Sequence, residues 1–465
     1  MVPDQNHPGR LSASGYDSLD PAVTDAFCCA ASCLPFPHKK NRMNKTIASY
    51  CLFFLVVLVA SFYLPYFYEQ LFFDRAAKTH LFYSPVAKEF VYREKIVGTP
   101  PPEVQQKAEE QRAVVSYRTE SGRWIGRLEF ERLLPFIYYK NMEVRGLLPL
   151  EIDGRLFTKK EIKKYRRVFE LKAREMKMPQ VKIYPLLSSP ENQAGLLFSK
   201  YRFFSATKGL EFVHTDTNSR DAALSELVTA DLIDHGFHFP ASAVFGNFTV
   251  LKPFDAGIFL EDNQGQLFHF RRNNEKNEIT RIPLPPGVRI RYLKIGESLH
   301  SDFFGILIGE QNKIWLLSRT GYQIHPLPVT GYNPDSMDLK IIFNPLHITA
   351  IYSDDETVSA VAMTQQLKDI ASFQHRMSRA TTGVEKKLYQ VLFPFVLKLR
   401  HENSRFIDID LTGSWHGLIG LIISVLLYLG FLQCNGREIR VKNLLIIACS
   451  GVYGIIGLFC VDMED

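Results

Sequence analysis

Few side chains in this 465-residue sequence stand at spacings that support chemistry. His235 and His238, three apart around Gly236, are the nearest approach to a paired imidazole ligand set. They follow a predicted helix, where an imidazole also interacts favourably with the C-terminal end of the helix dipole. His214, His300, His325, His347 and His375 are dispersed along the chain. Cys28, Cys29 and Cys33 cluster without a second ligand pair, so they fall short of a zinc site. Asp354-Asp-Glu356 is acidic enough for calcium but lacks the glycine and the later carboxylate of an EF-hand loop, which favours a solvated hairpin tip. There is no Gly-rich phosphate loop, nucleophile elbow, His-Glu-x-x-His pair or lipoprotein cysteine. The sequence therefore assigns no catalytic, cofactor-binding or metal residue, and the expectation is a protein that is not an enzyme.

The cysteines bound the chemistry further. Cys51, Cys449 and Cys460 lie within apolar windows, Cys434 ends one, and no cysteine falls between Cys51 and Cys434. That long segment has neither thiolate metal sites nor thiol nucleophiles, and it must hold its fold without disulfides. Net charge is +6, with no clustered basic face, which argues against nucleic acid as a partner.

Three apolar windows carry the architecture. The first runs from Thr46 to Tyr68 without a charge, followed by no small-residue cleavage site, and reads as an uncleaved signal anchor (46–68). Tyr63, Tyr66 and Tyr68 suit an interfacial aromatic belt. The others, 415–432 and 443–461, flank the polar turn 433–442 and predict a transmembrane hairpin. Lys39, Lys40, Arg42 and Lys45 before the first window, and Arg437, Arg440 and Lys442 in the turn, place both clusters in the cytoplasm by the positive-inside rule. The main domain and the acidic C-terminus, Asp462 to Asp465, are then extracytoplasmic. Small residues at Gly413, Gly417, Ser450, Gly454 and Gly457 suit helix packing in lipid, within the hairpin or against a partner's helices. Residues 1–45 read as a cytoplasmic tail. Met43-Asn-Lys before the first window also resembles a bacterial signal-anchor start, which would make the preceding residues an over-extended reading.

The fold expected is an α+β membrane protein: three transmembrane helices plus an extracytoplasmic domain with a mixed helical part (69–185) and a β-rich, propeller-like part (186–413). In the first part, Pro100-Pro-Pro-Glu103 breaks the chain, and Leu128–Leu134 forms a short helix stopped by Pro135. Thr158-Lys-Lys-Glu161 is a capping box opening a basic helix to Met178. Its Lys163, Lys164, Arg166, Arg167, Lys172 and Arg174 predict a solvated face, alternatively one touching anionic headgroups. A helix over Asp221–Asp234 buries Leu224, Leu227, Val228, Leu232 and Ile233. Beyond Phe245 a strand–turn–strand unit recurs: Leu260–Phe270, Leu307–Leu317, Ile351–Val361 and Leu399–Ile409, with anchors 47, 44 and 48 residues apart. Ile279–Leu284 and Tyr322–Leu327 supply further strands, and such periods suggest propeller blades.

Phe130–Tyr139, Gly146–Leu150, Glu211–Asn218, Val250-Leu-Lys-Pro-Phe-Asp255 and Gly331–Met337 together resemble an uncharacterised family of bacterial inner-membrane proteins, defined only as a domain of unknown function. The resemblance implies genes near ATP-binding-cassette (ABC) transporter components. The partners expected are the lipid bilayer and ABC permease or ATPase subunits. The function expected is an inner-membrane accessory protein whose extracytoplasmic domain binds a ligand or envelope partner. Alternatives are an envelope enzyme with its site on the propeller face and a transmembrane sensor.

Overall fold

The computed structural model describes residues 42–73, 78–95, 115–178, 181–187, 198–273, 275–298, 301–377, 383–400, 408–436 and 438–461. The cysteine group at 28–33, the Pro100–Glu103 break, Arg437 and the acidic tail lie outside these residues. Two compact units divide the chain, Phe62–Gly417 and Met1–Ser61 with Leu418–Asp465.

The larger unit is a mixed α/β body dominated by antiparallel meanders, beginning well before the strand-rich region expected from sequence. Strands β1 (His80–Tyr83), β2 (Phe90–Lys95) and β3 (Val115–Thr119) form one sheet. β4 (Leu150–Ile152) and β5 (Arg155–Phe157) form a hairpin turning on Asp153-Gly154, both with positive φ, as a tight hairpin turn requires. β6 (Arg167–Leu171) is a lone strand that joins a later sheet. Three four-stranded sheets follow: β7–β10 (Tyr184–Pro185, Tyr201–Ser205, Leu210–His214, Arg220–Asp221), β11–β14 (Ala243–Phe245, Ile258–Glu261, Leu267–Asn273, Lys276–Ile282) and β15–β18 (Ile290–Ile295, Phe303–Gly309, Ile314–Ser318, Ile324–Pro326). β19–β22 (Asp338–Phe343, His347–Ser353, Thr357–Thr364, Asp369–Arg376) form the next, with β6 antiparallel on the β19 edge.

Three of the four repeated hairpins are the central strand pairs of these sheets, β12–β13, β16–β17 and β20–β21. Their runs are apolar on both faces because both faces are covered. β12 is buried at every position and β16 at all but the first, whereas the outer strands β14 and β22 are largely exposed or half-buried. The fourth copy also pairs, Leu399 opposite Ile409, but only as the two-stranded ribbon β23 (Phe395–Arg400) and β24 (Asp408–Gly413). Leu399, Ile409 and Leu411 on it are exposed, so this copy is not a fourth sheet.

Shared cores place the sheets face to face in the order β7–β10, β11–β14, β15–β18, β19–β22, β1–β3. The row closes into neither a barrel nor a propeller, because helices cap its ends. Of the helices α1 (Arg42–Phe72), α2 (Arg127–Leu133), α3 (Tyr139–Val144), α4 (Lys159–Tyr165), α5 (Ala173–Lys177) and α6 (Ala222–Asp234), α6 covers β7–β10 with Leu224, Val228 and Leu232. At the other end Phe130 of α2 packs with Val91 of β2. Leu227 and Ile233, expected on the buried face of α6, are about half exposed. Asp221 caps α6, its carboxylate accepting from the Leu224 N–H at 2.9 Å.

The capping box forms as expected, but its helix ends at Tyr165. The next residues become β6 and α5, because pairing with β19 and burial of Phe169 and Leu171 outweigh the helical pattern of a basic stretch.

Among the described residues two helices are long and apolar enough to cross a bilayer, Ile47–Phe72 within α1 and α8 (His416–Cys434), each with most of its length in the smaller unit. Helix α7 (Val384–Leu392), between β22 and β23, belongs to the larger unit. The third apolar window does not form one span. It breaks at Gly451 (φ +60°) into α9 (Val441–Ser450) and α10 (Val452–Cys460). At 1.5 Å per residue each leg rises about 15 Å, half a hydrocarbon core. The legs fold back on each other: a Cβ on Gly454 would lie 3.3 Å from Ile447 Cα, positions that a straight helix holds about 10 Å apart. Gly457 seats against the Phe53 ring of α1, and Gly413 and Gly417 against Pro394, so the small residues serve contacts within the chain.

Candidate functional site

The residues singled out by type do not converge. His235 Nδ1 hydrogen-bonds the Asp231 carbonyl at 2.7 Å, closing the last turn of α6, while His238 turns to Asp262 at 3.3 Å. His214 receives the Thr217 N–H, His375 meets Glu94, and His325 and His347 lie in other sheets; His300 is outside the described residues. Asp354 accepts the N–H groups of Glu356 and Thr357, which makes it a hairpin-tip cap. Among the described residues no three His, Cys, Asp or Glu side chains are grouped to hold a metal ion.

The structure builds a site from other residues. The loop joining β11 to β12, residues 246–257, would have unpaired backbone groups were it not clamped by a buried ion cluster. Lys252 Nζ, on a side chain 2% exposed, donates to the Asn247 carbonyl, Asp255 Oδ1 and Glu297 Oε1, each at 2.6 Å. Glu297, just past β15 and 1% exposed, also accepts from the Ala256 N–H at 2.7 Å and Asn247 Nδ2 at 2.8 Å. Burial pushes the Glu297 carboxyl above its ordinary range, against the Ala256 and Lys252 hydrogen bonds that pull it down. Lysine has three N–H donors, and all three are used. The ammonium is therefore a fastener for the loop and is sealed from any substrate.

His269 of β13 holds the same loop from the other side. Its Nε2 lies 2.6 Å from the Ala256 carbonyl and its Nδ1 2.8 Å from the Tyr322 hydroxyl. A carbonyl only accepts, so Nε2 carries the proton and Nδ1 accepts from Tyr322. Burial lowers the His269 pKa to about 4, which keeps the ring neutral. The ring stacks on Phe259 at 4.4 Å. Gly257 follows at φ +94°, where a Cβ would fall 2.5 Å from His269 Nε2 and 2.9 Å from the Phe270 carbonyl oxygen; no larger residue fits.

What the clamp positions is a groove of about 320 Å³, at the small end of ligand pockets. Val181, Ile183 and Tyr184 line one side, Val244, Gly246 and Phe248 the base of the clamped loop, and Tyr292 and Leu293 the other side. Phe248 packs on Tyr184 at 5.0 Å. The bordering strands β7, β11 and β15 are each edge strands of their sheets. Ile183 and Val181 are more than half exposed, an apolar rim facing solvent.

Sequence reasoning missed Lys252, Glu297 and His269 as a set, because Lys252 and Glu297 are 45 residues apart and no motif links them. Only the Val250–Asp255 stretch, noted for its resemblance, pointed to this loop.

No curated protein matches the chain. A family model does, over residues 80–363, from the first residue of β1 to the last residue but one of β21 and including the groove and its clamp. By that match the chain belongs to the family described as Domain of unknown function (DUF4857).

Proposed function

We propose that this protein is a membrane-anchored adaptor of the bacterial inner membrane, whose β-rich unit lies outside the cytoplasm and binds an extended apolar segment of a partner in a membrane transport complex. The observation that carries this reading is the groove bordered by three sheet edges, β7, β11 and β15. An edge strand offers unpaired N–H and C=O groups, and strand addition is a common way to recognise an extended peptide. The fold already uses this mode once, with β6 added antiparallel to the β19 edge. The apolar rim at Val181 and Ile183 would receive alternate side chains of the added strand.

Basic residues before and at the start of α1 and around 437–442 favour N-terminal and α8–α9 ends in the cytoplasm. With α9 and α10 folded back, the C-terminus returns to that side, a revision of the three-span expectation. An ABC-type permease or ATPase subunit is the partner class this reading favours.

The test is site-specific photocrosslinking from position 183 in intact membranes, with the crosslinked peptide identified by mass spectrometry. A single extended segment of alternating apolar residues in a membrane-complex protein is expected, lost when Val181→Arg is added. Crosslinks to lipid alone, or protein crosslinks indifferent to Val181→Arg, would refute the reading.

A further inference from the structure

Beside the clamped loop lies a pair of arginines that the groove does not use. Arg167 opens β6 and Arg319 follows β17, 152 positions later in the chain and brought together by packing of the β15–β18 and β19–β22 sheets. The Arg167 side chain is only 8% exposed, yet its Nε has no protein acceptor. One Nη donates to the Lys164 carbonyl at 3.1 Å, and the other stands 3.9 Å from Asp302, beyond hydrogen-bonding range. Arg319 lays its guanidinium over Phe254 at 4.6 Å and Phe304 at 5.5 Å, which satisfies its face, while Nε and one Nη on its edge are buried without an acceptor. Its backbone N–H donates to the Asp302 carbonyl at 2.8 Å, so Asp302 adjoins both arginines.

Nearby acidic groups do not fill these donors. Glu297 is committed through both oxygens to Lys252, Ala256 and Asn247. Asp302 is 79% exposed, and its charge reaches the pair largely through solvent. Burial, and after it the charge of Arg167, holds Arg319 below the usual guanidinium range. Buried polar groups in folded proteins are nearly always paired, so three unfilled nitrogens on two neighbouring guanidiniums need an acceptor. Each Nε–H and the free Nη of Arg319 provide four N–H donors in planar forks, the geometry that matches a tetrahedral oxyanion with several acceptor oxygens.

We propose that Arg167 and Arg319 form a binding site for a phosphate group, entered past Asp302 and separate from the groove that carries the adaptor reading. The loop 246–257 joins the two features, since Gly246 and Phe248 line the groove and Phe254 supports Arg319. Occupancy at the arginines stiffens that loop from its far end. The acceptor oxygens come either from free phosphate or from a phosphorylated lipid headgroup.

The experiment is titration of the full chain in mild detergent with inorganic phosphate at constant ionic strength, read by calorimetry and ³¹P line broadening. Saturable binding is expected. Arg319→Gln should weaken it at least about tenfold, from the loss of charge-assisted donors. Asp302→Asn, an exposed change that spares the fold, should tighten it about two- to threefold by removing a solvent-screened like charge beside the bound anion. Displacement of phosphate by phosphatidic acid in nanodiscs, with the same dependence on Arg319, supports the site with a lipid as its source. Phosphate binding that persists beside phosphatidic acid supports it with the free anion. If Arg319→Gln fails to fold, Asp302→Asn decides alone. Absence of saturable phosphate binding, or unchanged affinity in Asp302→Asn, overturns the proposal.

Discussion

Replacing Lys252 by methionine keeps most of the side-chain volume and removes the charge that fastens the 246–257 loop. Glu297 Oε1 and Asp255 Oδ1 each lie 2.6 Å from the lost Nζ, so they face one another across no more than twice that distance, about 5 Å. Two carboxylates at that separation repel by about 3 kcal/mol at an effective dielectric constant of about 20. The Asn247 carbonyl also loses its donor. Breaking one side of a buried pair typically costs about 3–5 kcal/mol, and that loss is expected for Lys252→Met at pH 8. The loss must shrink in acid. Glu297 in the wild type already has its carboxyl raised above about 4.5 by burial, and removing Lys252 raises it further. A carboxyl with a raised folded pKa binds more protons in the native state than in the unfolded one. Its effect is therefore that stability falls as pH rises from the unfolded value through the folded one. As pH falls through the raised pKa of Glu297 in the variant, the carboxyl takes up its proton, the repulsion disappears, and about 1–2 kcal/mol of lost hydrogen bonding remains. Urea unfolding of the full chain in detergent, followed by fluorescence of the buried Trp315, measures both values. An equal loss at pH 5 and pH 8, or less than about 1 kcal/mol at pH 8, would show that the cluster does not fasten the loop as described.

Three further outcomes follow from the same region and from the C-terminal segment. His269, with its pKa lowered to about 4 from 6.5, contributes stability that is complete above 6.5 and is lost as pH falls toward 4; by linkage this amounts to about 3 kcal/mol. His269→Gln should flatten that part of the pH–stability curve, and an unchanged acid slope would contradict the assignment of the buried neutral ring. Gly257→Ala should cost about 2–4 kcal/mol through positive φ and contact with the Phe270 carbonyl, measured as a shift in the urea midpoint. On the proposed topology a reporter fused after residue 461 should behave as cytoplasmic, since each leg of the Gly451 break is only about half a hydrocarbon core long; an extracytoplasmic signal would restore the third span.

Features encoded by neighbouring residues were legible in the sequence. The Thr158 capping box, the Asp221–Asp234 helix and the three hairpins anchored at Leu260, Leu307 and Ile351 depend on hydrogen bonds and side-chain alternation within a dozen residues. Two membrane-length helices were legible for the same reason, because apolar run length is a local property. The β1–β3 sheet was not, since its strands are four to six residues long and lie in the region expected to be mixed and helical, and the short strands of β7–β10 were not placed individually at the start of the region expected to be β-rich. Arg167 reads as one more charge on a solvated basic helix, and only pairing of β6 with β19 turns it into a buried strand residue. The third apolar window has the composition of a span, yet one glycine with positive φ, packed where Gly454 meets Ile447, splits it. The row stays open because α6 and α2 cover its end faces, which no hairpin period can encode. Lys252, Glu297 and His269 belong to three separate segments. Their joint grip on the 246–257 loop exists only once the β11–β14 and β15–β18 sheets have packed, because burial is what gives those hydrogen bonds their strength.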